Sequence, residues 1–342
     1  MTRERPTLEA VARRAGVSRA TVSRVVNGSP TVAESIRDAV NLAVTELGYV
    51  PNQAARSLVT QRTESIALIL PETASRVFSD DLFFPSVIRG VSLQLEASDK
   101  QLVLMLAGSS ASHYRVERYA TAGHVDGVMF ASMHGDDPLP GSLARAGIPV
   151  VCSGRPMSPA DVPMSPADVP VPYVDVDHAG GVAAAVRHLI GTGRQRIATI
   201  AGPQDMVAGI DRLAGYRAAL AEAGRTPHVA VGDFTRESGA RAMRRLLAED
   251  PHLDAVFVAS DMMAHGALRS LKDADRRVPE DVAVIGFDDF EISQFSDPPL
   301  TTVRQPITDM GRTMARQVLS LIDGHVPLSV VLPTELVVRS SA

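Results

Sequence analysis

The sequence is poor in residue types that carry redox and aromatic chemistry: its 342 residues include one cysteine and no tryptophan. The single cysteine, Cys152, cannot form a disulfide within the chain, and its apolar neighbours 148–151 predict an inert buried thiol. No apolar run reaches 18 residues, and the N-terminus has no cationic segment followed by an apolar one. We therefore expect no membrane span, no export and a cytoplasmic location.

Motifs of the common catalytic classes are absent too. The chain contains no GxGxxG or GxxxxGK[ST] phosphate loop, no GxSxG nucleophile elbow and no HExxH zinc motif. Its nine histidines are not spaced as metal ligands. These absences argue against an enzyme, and they predict neither a cofactor nor a metal site.

Charge is divided unevenly along the chain. Residues 1–62 contain nine arginines and five acidic residues, so this segment carries a net charge of +4, whereas the remainder carries −9. The hydrophobic fraction of 45% is ample for one small domain and one or two larger ones. A basic head on an acidic body indicates that only the head approaches a polyanion such as DNA.

The basic head has the pattern of short helices joined by a tight turn. Leu8, Val11 and Ala12 form an apolar stripe at helical spacing. Gly16 can adopt the positive φ that ends a helix, and the Ser18 hydroxyl can cap the next one. On that second helix the side chains left facing out are Arg19, Ala20, Thr21, Ser23 and Arg24. Arginine suits guanine edges and hydroxyls suit phosphates, so a helix-turn-helix is predicted.

A third helix is predicted over about 33–47. Its apolar face would close a small three-helix core and consists of Ile36, Val40, Val44 and Leu47.

The run from Ala15 to Asn27, together with Thr7 and 11–12, resembles the headpiece of the lac repressor family of bacterial regulators. The resemblance continues through 47–58 and extends with varying strength to the C-terminus. It implies a DNA-binding headpiece over 1–62, with a hinge helix at 52–59, and an effector-binding and dimerisation core over 63–342. It also implies that DNA is contacted by Thr7, Ser18, Arg19, Ala20, Thr21, Ser23, Arg24, Asn27, Asn52, Ala55 and Leu58.

Leu58 has a special place in this set. In the family a leucine of the hinge helix enters the minor groove, unstacks a base step and bends the duplex, and here the matching residue is Leu58. The alternative is that Leu58 is an apolar residue of an ordinary linker.

Beyond Ser65 short apolar runs alternate with amphipathic helical segments. Strands are predicted at 66–70, 102–106, 125–130, 148–152, 197–201, 229–231, 255–258 and 282–287. Repeated strand–helix alternation predicts parallel sheets with right-handed crossovers. The expected fold class is therefore α/β: two doubly wound lobes, similar to periplasmic sugar-binding proteins, behind the helix-turn-helix headpiece.

The chain is expected to cross between the lobes at 174–177 and again at 301–305. Lobe 1 would then comprise about 63–174 and 305–334, and lobe 2 about 175–304 and 335–342.

Open α/β sheets bind small molecules at the carboxyl ends of their strands. These positions and the resemblance together give the effector-binding candidates Phe83, Phe84, Arg212, Phe234, Ser260 and Asp288. Phe83 and Phe84 are expected to form an exposed pair that stacks on a sugar or a base, with a hydrophobic staple of the following helix as the alternative. Phe234 packs either on the ligand or in the core.

The polar candidates also have two interpretations. The planar guanidinium of Arg212 suits ligand hydroxyls or a carboxylate, and Asp288 can accept ligand hydrogen bonds, but the two could instead form an ion pair. Ser260 stands where many sugar-responsive members of the family have Asn, and Gly154 stands where some have Asp. The set of hydrogen bonds to the ligand therefore differs from that of such members.

The resemblance implies a transcription factor that acts as a homodimer on palindromic operator DNA. We expect a repressor of carbohydrate-utilisation genes that a mono- or oligosaccharide releases from its operator. The alternatives are a regulator that needs a purine or nucleoside corepressor, and a cytosolic sugar-binding protein that no longer reads DNA.

The heptad 157–163 is repeated residue for residue at 164–170. Two copies are too few for a repeat architecture, so we predict a duplicated surface loop, with a functional lid as the alternative.

Overall fold

The computed structural model describes residues 6–26, 29, 31–50, 62–157 and 171–342. The chain divides into two compact units, Met1–Thr63 and Glu64–Ala342. The hinge helix expected at 52–59 and nearly all of the duplicated loop lie outside the described residues. So do four of the expected DNA contacts, Asn27, Asn52, Ala55 and Leu58.

The first unit contains the predicted helices α1 (Leu8–Ala15), α2 (Arg19–Val26) and α3 (Glu34–Leu47). Gly16 ends α1 with a φ of 68°, and the Ser18 Oγ accepts the Thr21 backbone N–H at 3.0 Å at the start of α2. The three helices enclose one small core whose buried members are Val11, Ala12, Val22, Val25, Val40, Ala43 and Tyr49.

The second unit alternates strands and helices. Its first half contains β1 (Ser65–Leu70), α4 (Ala74–Val77), α5 (Phe83–Glu96), β2 (Gln101–Leu106), α6 (Ser110–Thr121), β3 (Gly127–Phe130), α7 (Leu139–Arg145), β4 (Val150–Ser153) and β5 (Tyr173–Val176).

The same alternation then restarts. The second half contains α8 (His178–Gly191), β6 (Ile197–Ala201), α9 (Val207–Glu222), β7 (His228–Val231), α10 (Arg236–Glu249), β8 (Ala255–Val258), α11 (Asp261–Asp273), β9 (Ala283–Asp288), α12 (Glu291–Gln294), β10 (Thr301–Arg304), α13 (Ile307–Ile322), β11 (Val330–Leu332) and β12 (Glu335–Val337).

The strands form two six-stranded sheets of the same plan. The first has the order β11-β5-β4-β3-β1-β2 and is parallel throughout, and the second has the order β12-β10-β9-β8-β6-β7, with only β12 antiparallel to its neighbour. In both sheets the first strand lies between the second and the third, so the strand order reverses there. Open sheets of this kind bind ligands beside that reversal, at the carboxyl ends of the strands. We call the part built on the first sheet lobe 1 and the part built on the second sheet lobe 2.

The chain passes between the lobes after β5, after β10 and between β11 and β12. β5 continues in the first sheet as far as Val176, so the first crossover begins two residues beyond the limit expected from the sequence.

Helices cover both faces of each sheet, and the central strands are therefore buried on both sides. In lobe 1, α5 packs on α13, and they approach closely where Gly90 faces the Thr308 backbone. In lobe 2 the corresponding close pair is α10 and α11.

Cys152 is fully buried in lobe 1, as expected, and burial raises the pKa of its thiol. Among the described residues, no helix is both long and apolar enough to span a membrane.

Candidate functional site: the cleft between the lobes and the helix-turn-helix surface

A cleft separates the two lobes at the carboxyl ends of their strands. It contains a cavity of about 680 Å³ and, beside it, a smaller one of about 70 Å³ that shares several lining residues. All six effector-binding candidates line the smaller cavity: Phe83, Phe84, Arg212, Phe234, Ser260 and Asp288. The fold therefore brings together residues that are up to 205 positions apart in the sequence.

Arg212, on α9, is the best-anchored of the six, with only 4% of its surface exposed. Its Nε donates to His178 Nδ1 at 3.2 Å and its Nη1 donates to the Ala259 carbonyl at 2.6 Å. The guanidinium also lies 3.8 Å from the centroid of the Phe287 ring, a cation–π contact. Burial lowers the pKa of Arg212, and the nearby Asp288 opposes that shift.

Asp288 ends β9 in a strained backbone conformation, with a φ of 124°. Its Oδ1 accepts a hydrogen bond from Gln305 Nε2 at 2.6 Å and lies 3.7 Å from Arg212 Nη1. Burial raises the pKa of this carboxyl well above its ordinary value, while the Arg212 charge opposes the shift. The two polar candidates thus form an ion pair, and that pair lines the cavity.

The aromatic candidates differ from the expectation in one respect. Phe83 and Phe84 meet edge to face with centroids 5.5 Å apart, but Phe84 is 2% exposed and belongs to the core of lobe 1, so the expectation of an exposed pair is wrong. The turn of α5 that directs Phe83 into the cleft directs its neighbour inward. Phe234 is partly buried and packs on the core of lobe 2, which was one of its two alternatives. It also lines the cavity, and its packing on a ligand stays a prediction.

Ser260 lines the cavity and caps α11, where its Oγ accepts the Met263 backbone N–H at 3.2 Å. One lone pair is therefore used within the protein, which leaves the hydroxyl proton and the second lone pair for a ligand.

The sequence analysis did not identify several of the residues that line the smaller cavity. Asp81 is buried there, pairs with Arg76 at 3.0 Å and accepts the Phe83 backbone N–H at 3.0 Å, and burial raises the pKa of its carboxyl. Gln305 was assigned to a crossover but not to the site. Asp81 lies two residues before Phe83, the first residue of α5. A carboxylate just before a predicted helix was therefore the sequence signal that could have identified it.

Arg155 and His134 each make polar contacts that bridge the lobes at the edge of the cleft. Arg155, after β4, pairs with Asp211 of α9, with Nη2 2.7 Å from Oδ1. His134, after β3, lies 3.1 Å from Glu72 Oε1 in its own lobe and 2.8 Å from Asp205 Oδ2 in the other. The hydrogen bond to Glu72 is the largest cause of a rise in the pKa of His134 to about 9, which Asp205 supports and burial opposes.

Lobe 1 supplies most of the residues that line the larger cavity. It carries charged or hydrogen-bonding side chains from both lobes, including Asp136, Asp137, Arg145, Arg155, Tyr173, Asp175 and His178. No group of side chains that could hold a metal ion occurs in the described part of the chain.

The second candidate surface is the outer face of α2 in the first unit. Arg19, Ala20 and Arg24 are exposed, whereas Thr21 and Ser23 are half-buried. The Ser18 and Thr21 hydroxyls lie 2.8 Å apart, so the cap also fixes the orientation of Thr21.

Two further contacts bear on this surface. Thr7 caps α1 by accepting the Ala10 backbone N–H at 3.3 Å. Arg19 lies 3.2 Å from Glu9, an exposed ion pair that costs little to break when another anion approaches.

The chain matches two family descriptions. Residues 7–52 match "Bacterial regulatory proteins, lacI family", and residues 186–342 match "Periplasmic binding protein-like domain". The first covers the helix-turn-helix and the second covers most of lobe 2 with the C-terminal part of lobe 1.

Whole-length similarity supports the same family. The chain is 50% identical over 344 residues to the HTH-type transcriptional regulator CelR of Thermobifida fusca, with 99% of each protein covered. It resembles the solved CelR–cellobiose complex with a TM-score of 0.77 and 48% identity, covering 99% of this chain and 100% of that one. It also resembles the lac repressor dimer bound to operator and the anti-inducer ONPF, with a TM-score of 0.83, 28% identity and 99% coverage of both.

The helix-turn-helix, the two-lobed core and these similarities agree along the whole chain. The protein belongs to the lacI family of bacterial regulatory proteins and is a DNA-binding transcriptional regulator.

Proposed function

We propose that this regulator is a homodimeric repressor of carbohydrate-utilisation genes, which binds a palindromic operator and releases it when cellobiose or a closely related disaccharide fills the cleft. The observation that carries the proposal is the convergence of all six candidates on one cavity between the lobes, in a chain 48% identical to a regulator solved with cellobiose. Aromatic rings with a few convergent polar groups suit the apolar faces and hydroxyls of a sugar.

In this proposal Arg212 and Asp288 bind hydroxyls of the effector, with Ser260 as a further donor, while Phe83 and Phe234 pack on the ring faces. Phe84 supports Phe83 from the core. The ion pair between Arg212 and Asp288 presents both donors and acceptors, which matches hydroxyls better than a purely anionic ligand.

On the headpiece, Arg19 and Ala20 would set the base preference and Arg24 would contact a base edge. Thr7, Ser18, Thr21, Ser23 and Asn27 would hold phosphates. Asn52 and Ala55 would belong to the hinge helix, and Leu58 would be its minor-groove wedge. Two headpieces would read half-sites related by the two-fold axis of the dimer. Acting on chromosomal DNA places the protein in the cytoplasm.

Closure of the cleft would change the arrangement of the paired first lobes. Release of DNA then follows only if the sugar binds the closed state more tightly than the DNA-bound state. The sugar is a signal in this mechanism and leaves unchanged, which mass spectrometry of the recovered ligand checks.

The test is fluorescence anisotropy with a selected palindromic operator, with cellobiose, other mono- and oligosaccharides or purines added. Cellobiose is expected to release the DNA. Arg212→Ala should abolish that release, while Arg217→Ala, an exposed arginine of the same helix, should not. If purines tighten operator binding and sugars have no effect, the proposed class of effector is wrong. The proposed direction of its effect, release of the DNA, is then wrong too. Failure to enrich any site at any salt concentration would overturn the operator-binding part.

A further inference from the structure

His178 lies directly behind Arg212, outside the six effector-binding candidates. It is the first residue of α8, immediately after the first crossover between the lobes, and it is 6% exposed. Its ring packs on Phe287 with centroids 5.7 Å apart. An unpaired nitrogen on a buried ring is costly, so the partners of the two ring nitrogens decide what state His178 adopts.

Both nitrogens are satisfied, each by a different lobe. Arg212 Nε donates to Nδ1 at 3.2 Å, so Nδ1 carries no proton. Nε2 lies 3.2 Å from Asp175 Oδ1, and since the carboxylate can only accept, Nε2 carries the proton. The imidazole is therefore neutral and held in one tautomer. Burial, reinforced by the Arg212 charge, lowers the pKa of His178, in agreement with this geometry.

Asp175 connects the ring to lobe 1. It belongs to β5, and its Oδ2 accepts the Arg155 backbone N–H at 3.2 Å. Burial raises the pKa of this carboxyl, but the hydrogen bond from His178 and those from two backbone N–H groups outweigh that effect and lower it overall. Asp175 is therefore a carboxylate, which is the acceptor that Nε2 requires.

The contact also restricts what Arg212 can offer a ligand. His178 uses the Nε proton and the Ala259 carbonyl uses one Nη1 proton, so the remaining protons lie on the Nη edge of the guanidinium. The orientation of that edge depends on the ring behind it.

We propose that His178 is a positioning residue, which orients Arg212 toward the effector through Nδ1 and couples movement of Arg212 to the first crossover through Nε2 and Asp175. This role rests on the proposed function, because it assumes that Arg212 binds the effector. His178 itself need not contact the sugar.

Two substitutions test the contact with Arg212 and the contact with Asp175 separately. In His178→Asn the amide oxygen can take the place of Nδ1 and accept from Arg212, but the side chain is too short to reach Asp175. In His178→Gln the amide nitrogen can take the place of Nε2 and donate to Asp175, but the acceptor for Arg212 Nε is lost. Both variants remove the same ring packing on Phe287, so each is the matched control of the other.

Calorimetry with cellobiose and anisotropy with the operator are made on the full-length protein. His178→Gln should lower cellobiose affinity about tenfold, the usual cost of losing a hydrogen bond to a charged group. His178→Asn should bind cellobiose within about threefold of the wild type, yet require at least tenfold more of it, relative to its own dissociation constant, to release the operator. Equal changes in the two variants, or none in either, would overturn the proposal, since a packing role affects both alike.

A ligand-free measurement keeps this inference distinct from the effector assignment. Nitrogen NMR of the histidine-labelled protein, with the His178 signal identified by its loss in His178→Asn, should show a neutral ring protonated on Nε2 at pH 7. An imidazolium or an Nδ1-protonated ring would overturn the positioning role, whatever the ligand. The expected tautomer in a protein that does not bind cellobiose would support the positioning contact and overturn the effector assignment instead.

Discussion

Arg155 of lobe 1 and Asp211 of lobe 2 form a two-pronged ion pair across the mouth of the cleft. Each terminal nitrogen of the guanidinium faces one carboxylate oxygen, and Nη2 lies 2.7 Å from Oδ1. The hydrogen bonds that Arg155 donates to Asp211 raise the pKa of Arg155 further. A contact that joins the two lobes can form only when the lobes are close together. It therefore stabilises the closed arrangement of the cleft relative to an open one.

Removing one partner should therefore weaken effector binding. Asp211→Asn is expected to lower cellobiose affinity about two- to fivefold, corresponding to about 0.5–1 kcal/mol for a partly exposed ion pair. Calorimetry measures the change. The control is Glu222→Gln, which breaks the pair between Arg187 and Glu222 within lobe 2, where the two groups are 3.0 Å apart. An equal loss of affinity in both variants would show that the cleft does not depend on the first pair.

The sequence predicted most of the helices and strands because their signals are local. The apolar stripe of α1, the Gly16 turn and the Ser18 cap act over a few residues, and the structure confirms them. Eight of the twelve strands in the described residues follow from apolar runs, and the two-lobed arrangement follows from their alternation with helices. β5 and β10 lie in segments that were expected to be crossovers, and β11 and β12 were not predicted as strands. Six of the residues that line the smaller cavity were found from their positions after strands and from the resemblance.

The remaining features depend on contacts between distant parts of the chain. His134 and Asp205 are 71 residues apart, and no periodicity relates them. The burial of Phe84 depends on the angle at which α5 packs on the first sheet, which a local pattern does not determine. Asp175 was assigned to a crossover, but its pairing with His178 requires the exact end of β5. Sequence reasoning therefore located residues that line the smaller cavity better than the residues that support them.

His134 should make closure of the cleft depend on pH. Its pKa is raised from 6.5 to about 9 by Glu72 and Asp205, and Asp205 belongs to the opposite lobe. Glu72 lies in the same lobe as His134 and raises its pKa whether the cleft is open or closed, so the contribution of Asp205 is the part that depends on closure. Because protonation is favoured in the bridged form, the contact with Asp205 is strongest while His134 is protonated and is lost as the pH rises through about 9. We expect cellobiose affinity to fall between pH 7 and pH 10, measured by calorimetry in buffers of equal ionic strength.

A pair of histidine variants isolates this effect. His134→Gln should remove most of the change in affinity between pH 7 and pH 10. His113→Gln should leave it intact, because His113 faces Asp137 at 3.9 Å within lobe 1 and bridges nothing. A pH dependence that survives in His134→Gln would assign the effect to another group.

Ser18 should stabilise α2 before any DNA is present. Its hydroxyl accepts the Thr21 backbone N–H at 3.0 Å, and losing such a cap costs about 1 kcal/mol. In Ser18→Ala we expect hydrogen exchange at the amides of α2 to speed up about fivefold, measured by NMR on the full chain. Ser18→Asn keeps a capping oxygen and should exchange at the wild-type rate. Equal acceleration in both variants would show that the cap does not limit opening of α2.

Gly90 permits the close packing of α5 on α13 in lobe 1. A Cβ at this position would collide with the Thr308 carbonyl oxygen and lie 3.1 Å from the Arg312 backbone nitrogen, and neither backbone can move without shifting its helix. Gly90→Ala should therefore lower the free energy of unfolding by about 1–3 kcal/mol in spite of the better helix propensity of alanine. Gly191→Ala, at the end of α8 with no atom within 4 Å of its added Cβ, should be neutral or stabilising by up to about 1 kcal/mol. Urea unfolding compares the two, and destabilisation by both to the same extent would mean that loss of flexibility, not the contact of the two helices, sets the cost.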